Sequence, residues 1–168
     1  QELSHSLADR GHEVSVFALG ECQRLNNGTS QSSVNVEFLS ERKRRLVVFE
    51  TIYFSLLSRY RVDFSEYDII HGTLMPASPI ATLDKIRHTP LVLTSHGSSI
   101  GEVRSHRLDI ATDYLKKIAF HPINTFFDQI TTTQADHIIS ISSQATRELK
   151  KWYPISSEDL TRVPHGVD

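Results

Sequence analysis

The sequence predicts an α/β fold with a doubly wound, mostly parallel sheet and helices on both faces. Helical and strand-like segments alternate along the chain, which is the order that packs helices against a parallel sheet. Several strand-like segments are continuously apolar, among them PLVLTS at residues 90–95, as expected of strands buried on both faces. At 168 residues the chain has the length of about one domain and can bury a hydrophobic core.

The first helix and its end are predicted by spacing and by one glycine. Residues 2–10 place Leu3, Leu7 and Ala8 on one helical face. Gly11 follows where a left-handed helix cap is expected, because glycine adopts positive φ without steric cost. The chain then turns into an alternating strand.

The remaining elements follow in a regular order. They are strand 13–19, loop 20–33, strand 34–39, helix 44–60, strand 67–72, helix 76–87, strand 90–97, helix 109–135, strand 136–142, helix 144–153 and a strand from 160. Helix 44–60 has a broad apolar face, formed by Leu46, Phe49, Tyr53, Leu56 and Tyr60. Helix 109–135 is expected to break near Pro122, and Ser142 or Ser143 is expected to cap helix 144–153.

Composition excludes several classes of protein. The formal net charge of −2 gives no basic field for nucleic acid, so we expect none as a partner. The one cysteine, Cys22, cannot form an internal disulfide, which fits a reducing compartment. The sequence contains neither a signal-peptide pattern nor an apolar span of about 18 residues, and we expect a cytoplasmic protein.

Three His-Gly pairs lie at the ends of predicted strands: His71-Gly72, His96-Gly97 and His165-Gly166. Glycine lets backbone approach a ligand closely, and imidazole can donate or accept a hydrogen bond near neutral pH. Each pair taken singly is also typical of a turn with a hydrogen-bonded histidine. The sequence has no His-Glu-x-x-His zinc motif, no glycine-rich dinucleotide or P-loop motif and no Gly-x-Ser-x-Gly elbow. We therefore expect no metal, and a dinucleotide enzyme or a serine hydrolase is disfavoured.

Five segments together resemble the amino-terminal domain of family 4 glycosyltransferases of the GT-B fold. They are ELSHSLADRGHEVSVFAL at 2–19, YDIIHG at 67–72, PLVLTSHGSSI at 90–100, ADHIISISSQATRELKKWY at 135–153 and TRVPHGVD at 161–168. The resemblance covers nearly the whole chain and implies one Rossmann-like half of a GT-B fold. It also implies transfer of a sugar from a nucleotide-sugar donor to an acceptor with retention of anomeric configuration, usually without bound metal.

The resemblance assigns roles to matching residues. His96 corresponds to a histidine at the mouth of the cleft, where it would act in catalysis by hydrogen-bonding the donor sugar or the reacting centre. The other predicted substrate-binding residues are Gly97, Ser98, His71, His165 and Gly166. Gly166 matches the turn that leads into a second domain, and His165 stands where many members of the family have Asn.

The resemblance also predicts that the chain is part of a longer protein. Family members have a strand and a Gly-rich loop before the first helix, and a carboxyl-terminal domain that binds the donor nucleotide. We expect residues 1–168 to be the acceptor-side domain of a hexosyltransferase or other glycosyltransferase. Without the phosphate-binding elements of both domains, these residues in isolation are expected to have little or no activity.

Two other functions remain open. One is a non-catalytic sugar- or partner-binding module, and the other is a GT-B sugar-nucleotide epimerase, which would need carboxylates in the cleft.

A basic run bears on the acceptor, which is expected to be a sugar or a lipid-linked sugar. Arg42, Lys43, Arg44 and Arg45 precede the apolar helix, and such a run can contact the cytoplasmic face of an anionic membrane. The alternative is an ordinary solvated surface.

Overall fold

The structure is a computed structural model that describes residues 2–19, 34–40, 47–73, 88–98, 100 and 121–164. These residues belong to two compact units, Gln1–Arg61 and Val62–Asp168. Several predictions fall on residues outside the described ranges. They are loop 20–33, the run Arg42 to Arg45, Leu46, helix 76–87, residues 109–120 of the long helix, and His165 with Gly166.

The described residues of the first unit form two helices and two parallel strands. The elements are α1 (Glu2–Asp9), β1 (Val14–Leu19), β2 (Val34–Ser40) and α2 (Val47–Arg61). The two strands pair in parallel, with Val14 opposite Val34. The order of helices and strands predicted for this part of the chain is confirmed.

The turn from α1 to β1 is a Schellman motif centred on Gly11. Gly11 has φ of 89°, as its predicted role as a left-handed cap requires. Its N–H donates to the carbonyl of Ala8 at 2.9 Å, and the His12 N–H donates to the carbonyl of Leu7 at 3.2 Å. These two bonds satisfy carbonyl groups that the helix end would otherwise leave without partners.

The predicted apolar face of α2 is wrong in part. Leu56 is 46% exposed and Tyr60 is 81% exposed, whereas Ser58 is 1% exposed. Burial of Ser58 costs little because its hydroxyl donates to the carbonyl of Phe54, one turn earlier, at 2.8 Å. Arg61 donates from Nη1 to the carbonyl of Leu39 at 3.0 Å, linking the end of α2 to β2.

The second unit contains a parallel four-stranded sheet. Its elements are a 3₁₀ turn (Phe64–Glu66), β3 (Ile70–Thr73), β4 (Leu91–Ser95), α3 (His121–Gln134), β5 (His137–Ser140), α4 (Ser143–Trp152) and β6 (Leu160–Arg162). The strand order is β3-β4-β5-β6, with every neighbouring pair parallel. The parallel sheet with helices confirms the predicted α/β, Rossmann-like fold class.

Helix α4 begins where the local sequence favours a start. Ser142 caps α4, and its hydroxyl accepts a hydrogen bond from the Ala145 N–H at 3.1 Å. Of the two predicted caps, Ser142 is therefore the one used. The described part of α3 runs from His121 to Gln134 and includes Pro122, while the predicted break near Pro122 adjoins residues 109–120, which lie outside the described ranges.

The core of the second unit lies on one face of its sheet. Leu91, Leu93 and Ile138 point to the same side, and all three are 2% exposed or less. Leu149 and Tyr153, from α4 and its carboxyl end, complete the buried cluster. Residues on the other face of β4 are only partly buried, so burial alternates along this strand.

Candidate carbohydrate-transfer site

The ends of three strands meet at the carboxyl edge of the second unit's sheet. Ser95, Ser140 and Arg162 lie in one row across β4, β5 and β6. The row continues into the loops, because the Ile141 N–H donates to the carbonyl of Ser95 at 3.3 Å and the Val163 N–H donates to that of Ser140 at 2.9 Å. In parallel α/β folds this edge is where ligands bind.

His96 directly follows β4 at this edge. Its side chain is exposed, in contrast to the buried Ser95 before it. The strand-end position predicted for the His96-Gly97 pair is confirmed, because β4 ends at Ser95. An exposed imidazole at the ligand-binding edge can offer a hydrogen bond to a hydroxyl or to a developing charge.

The turn after β4 is closed by the side chain of Ser95. This residue is fully buried, and its hydroxyl donates to the carbonyl of Gly97 at 2.8 Å. The Gly97 N–H in turn donates to the same hydroxyl oxygen at 3.3 Å. His96 is therefore held between two residues that are bonded to each other.

A second contact to this turn comes from Glu148 on α4. Both donors of Ser98 reach the same carboxylate oxygen, Oε2, with its N–H at 3.4 Å and its hydroxyl at 3.2 Å. Gln144, one helical turn before Glu148, donates to Oε1 at 3.0 Å. Ser98 is only 4% exposed, so its hydroxyl serves this contact inside the protein.

These hydrogen bonds also determine the charge of Glu148. The bond from Gln144 lowers the pKa of the carboxyl group most, the bonds from Ser98 lower it further, and desolvation opposes them in part. The net shift is downward, so Glu148 is a carboxylate at neutral pH. The sequence analysis did not find this residue. In the sequence, Gln144 and Glu148 are spaced at i and i+4, which indicates that their side chains can contact each other on a helix. That helix starts at the same sheet edge as the His96 turn.

His71 lies within β3 rather than at its end. The predicted strand end at His71-Gly72 is wrong, because β3 continues to Thr73, which pairs with Thr94. His71 itself is level with Val92, about 10 Å along the strand before the row of Ser95. The structure therefore does not bring His71 to the edge that carries His96.

The imidazole of His71 contacts the neighbouring strand. Its Nε2 lies 2.7 Å from the hydroxyl oxygen of Thr94. Desolvation lowers its pKa below the ordinary value, which favours the neutral ring. His137 makes an equivalent contact between β5 and β6, with Nε2 at 2.9 Å from the hydroxyl of Thr161. The sequence analysis did not predict either pairing.

Among the residues that the structure describes, no group of three or more His, Cys, Asp or Glu side chains could hold a metal ion. No helix in the described part of the chain is long and apolar enough to cross a membrane.

Comparison with known proteins gives one family. The model of the family described as Glycosyltransferase Family 4 matches residues 1–168. A search of curated proteins found no match.

Proposed function

This chain belongs to glycosyltransferase family 4, and on that premise we propose that it is the acceptor-side domain of a longer, retaining enzyme. The donor would be a nucleotide sugar and the acceptor a sugar or a lipid-linked sugar. The family match over the whole chain supports a glycosyltransferase domain, and the parallel sheet is the scaffold such a domain requires.

The observation that carries this proposal is the position of His96. It is exposed directly after β4, at the sheet edge where Ser95, Ser140 and Arg162 lie side by side. In the proposed reaction the acceptor oxygen bonds to the anomeric carbon, and the bond from that carbon to the diphosphate oxygen breaks. The acceptor's proton passes to the diphosphate oxygen as the nucleoside diphosphate leaves with the bonding electrons. A fixed imidazole can orient the sugar hydroxyls and stabilise charge as it develops.

The test is a substitution of His96 in the full-length protein. With a panel of nucleotide sugars and acceptors, release of nucleoside diphosphate is measured for the wild type and for His96→Ala. We expect kcat to fall about 100-fold or more, as for removal of other preorganised hydrogen-bonding groups. His88→Ala is the matched control, because His88 is exposed and lies before β4, at the opposite edge of the sheet. A wild-type kcat in His96→Ala would refute the assigned role.

The same assay distinguishes glycosyl transfer from the two alternative functions, a non-catalytic binding module and a sugar-nucleotide epimerase. Binding of nucleotide sugar without turnover under any acceptor would favour the non-catalytic module. Conversion of the sugar nucleotide to its epimer in the absence of an acceptor would identify an epimerase. We further propose that transfer needs no bound metal, so a chelator should leave the rate unchanged.

A further inference from the structure

The turn that carries His96 is fastened on two sides. Within the turn, the Ser95 hydroxyl bonds to both the carbonyl and the N–H of Gly97. From outside, Glu148 accepts both donors of Ser98 on one oxygen. A β-carbon placed on Gly97 would lie 3.9 Å from that same oxygen, so the carboxylate lies directly against the turn. The three residues 96–98 are thus bounded by fixed contacts before and after His96.

Glu148 is itself held in a single orientation. Its other oxygen accepts the bond from Gln144, so both carboxylate oxygens are engaged. A glutamate side chain whose two carboxylate oxygens both accept hydrogen bonds loses much of its rotational freedom. This arrangement suits an anchor that fixes a neighbour rather than a group that exchanges protons with substrate.

The helix that carries Glu148 is attached at both of its ends. Near its start, the hydroxyls of Ser140 on β5 and Thr146 on α4 lie 2.6 Å apart. At its end, the Tyr153 hydroxyl donates to Asp128 Oδ2 on α3 at 3.3 Å. Between these points Leu149, the neighbour of Glu148, is fully buried in the core. Glu148 therefore projects from a rigid support, which is the condition for precise placement of a functional group.

We propose that Glu148 is a positioning residue for the transfer reaction, acting through Ser98 to hold His96 at the carboxyl edge of the sheet. This inference rests on the proposed function. It also gives a role to Ser98, whose donors are directed to Glu148. Loss of the anchor would let the turn shift, and displacement of a reacting group by about 1 Å can cost about 100-fold in rate.

The experiment compares three variants of the full-length protein in steady-state kinetics. Glu148→Ala removes both carboxylate oxygens that accept hydrogen bonds from Ser98 and Gln144. It should lower kcat about 10- to 100-fold, with KM for the nucleotide sugar changed less than about threefold. Glu148→Gln keeps a carbonyl oxygen for Ser98 and should recover most of the rate. Glu158→Ala is the matched control, because Glu158 is exposed and precedes β6 at the opposite edge, and it should behave as wild type.

A second measurement, by NMR, reports on the conformation of the His96 turn and does not depend on enzyme activity. In protein labelled with ¹⁵N-histidine, the backbone amide signal of His96 should move in Glu148→Ala and stay in place in Glu158→Ala. Ser98→Ala removes only the hydroxyl contact, and an intermediate loss of kcat is expected. This variant also provides a test should Glu148→Ala fail to fold.

The outcomes distinguish this inference from the proposed function. If the wild type transfers no sugar, the proposed function fails, while the His96 signal still tests the anchor. If His96→Ala is impaired and Glu148→Ala keeps the wild-type kcat, only the role of Glu148 is overturned. If Glu148→Gln is as impaired as Glu148→Ala, the negative charge is what matters, and anchoring through hydrogen bonds is refuted.

Discussion

Removing one buried oxygen atom tests how the second unit is held together. Tyr153 is 4% exposed, and its hydroxyl donates to Oδ2 of Asp128, which is 1% exposed. Tyr153→Phe keeps the ring in the core but withdraws a donor from a buried carboxyl group. A hydrogen bond to a charged group contributes about 1.5–3 kcal/mol, and the long 3.3 Å distance favours the lower end of that range. We expect a loss of about 1.5–2 kcal/mol in the free energy of unfolding.

Urea unfolding of the 168-residue chain measures this loss. The single tryptophan, Trp152, is adjacent to Tyr153 and provides a fluorescence signal from the site. The corresponding drop in Tm is about 3–8 °C for a chain of this size. Tyr60→Phe is the control, because Tyr60 is 81% exposed and its hydroxyl is in water. Equal stability of the two variants would show that the buried bond contributes nothing.

The same substitution predicts a change in alkaline stability. Desolvation, and then the charge and hydrogen bond of Asp128, raise the pKa of Tyr153 well above its ordinary value of 10.0. The native state therefore keeps this proton at pH values where the unfolded chain releases it. Stability from this group is complete below about pH 10 and declines as pH rises further. Tyr153→Phe should lack this decline, and an unchanged slope of stability against pH above 10 would contradict the assignment.

Two further predictions concern the first unit and the basic run. Gly11→Ala should destabilise the chain by about 1–2 kcal/mol in urea unfolding. Gly11 has φ of +89° and no atom lies within 4 Å of an added β-carbon, so the cost is conformational and Gly11→Asn should be milder. For the basic run, we propose contact with the cytoplasmic membrane face: replacement of Arg42, Lys43, Arg44 and Arg45 by Gln should abolish co-sedimentation with anionic liposomes. Equal binding of the wild type to anionic and to neutral liposomes would mean that the basic run is an ordinary solvated surface and has no role in membrane contact.

Features set by neighbouring residues were predictable from the sequence. The Gly11 cap and the Ser142 cap each depend on hydrogen bonds within a few residues, so local chemistry suffices to identify them. The position of His96 near a strand end was also predictable, because the apolar run of β4 is followed by the small and polar residues Gly97 and Ser98. Ser98 and Glu148, however, are 50 positions apart in the chain, and their pairing depends on where α4 packs. No local pattern encodes that distance.

Two predictions failed because tertiary packing decided the outcome. β3 includes Thr73, which pairs with Thr94 of β4, so the strand continues past the glycine at position 72. On α2 the spacing of Leu56 and Tyr60 suggested a buried face, yet both are exposed and Ser58 is buried. A serine can replace an apolar residue there because its hydroxyl bonds within its own helix.

The anchor on the His96 turn follows from how parallel strands are connected. Each strand of such a sheet ends at the same edge, but the ladder of hydrogen bonds stops there and cannot fix the loop beyond. The next helix along the sheet begins at that edge and can supply the missing contacts. Helix α4 follows β5, the neighbour of β4, and its second turn brings Glu148 to Ser98. The bonds that fix α4, such as Ser140 with Thr146, therefore bear on His96 without touching it. If Glu148 has the proposed role, the geometry of the His96 turn depends on the placement of the adjacent helix α4.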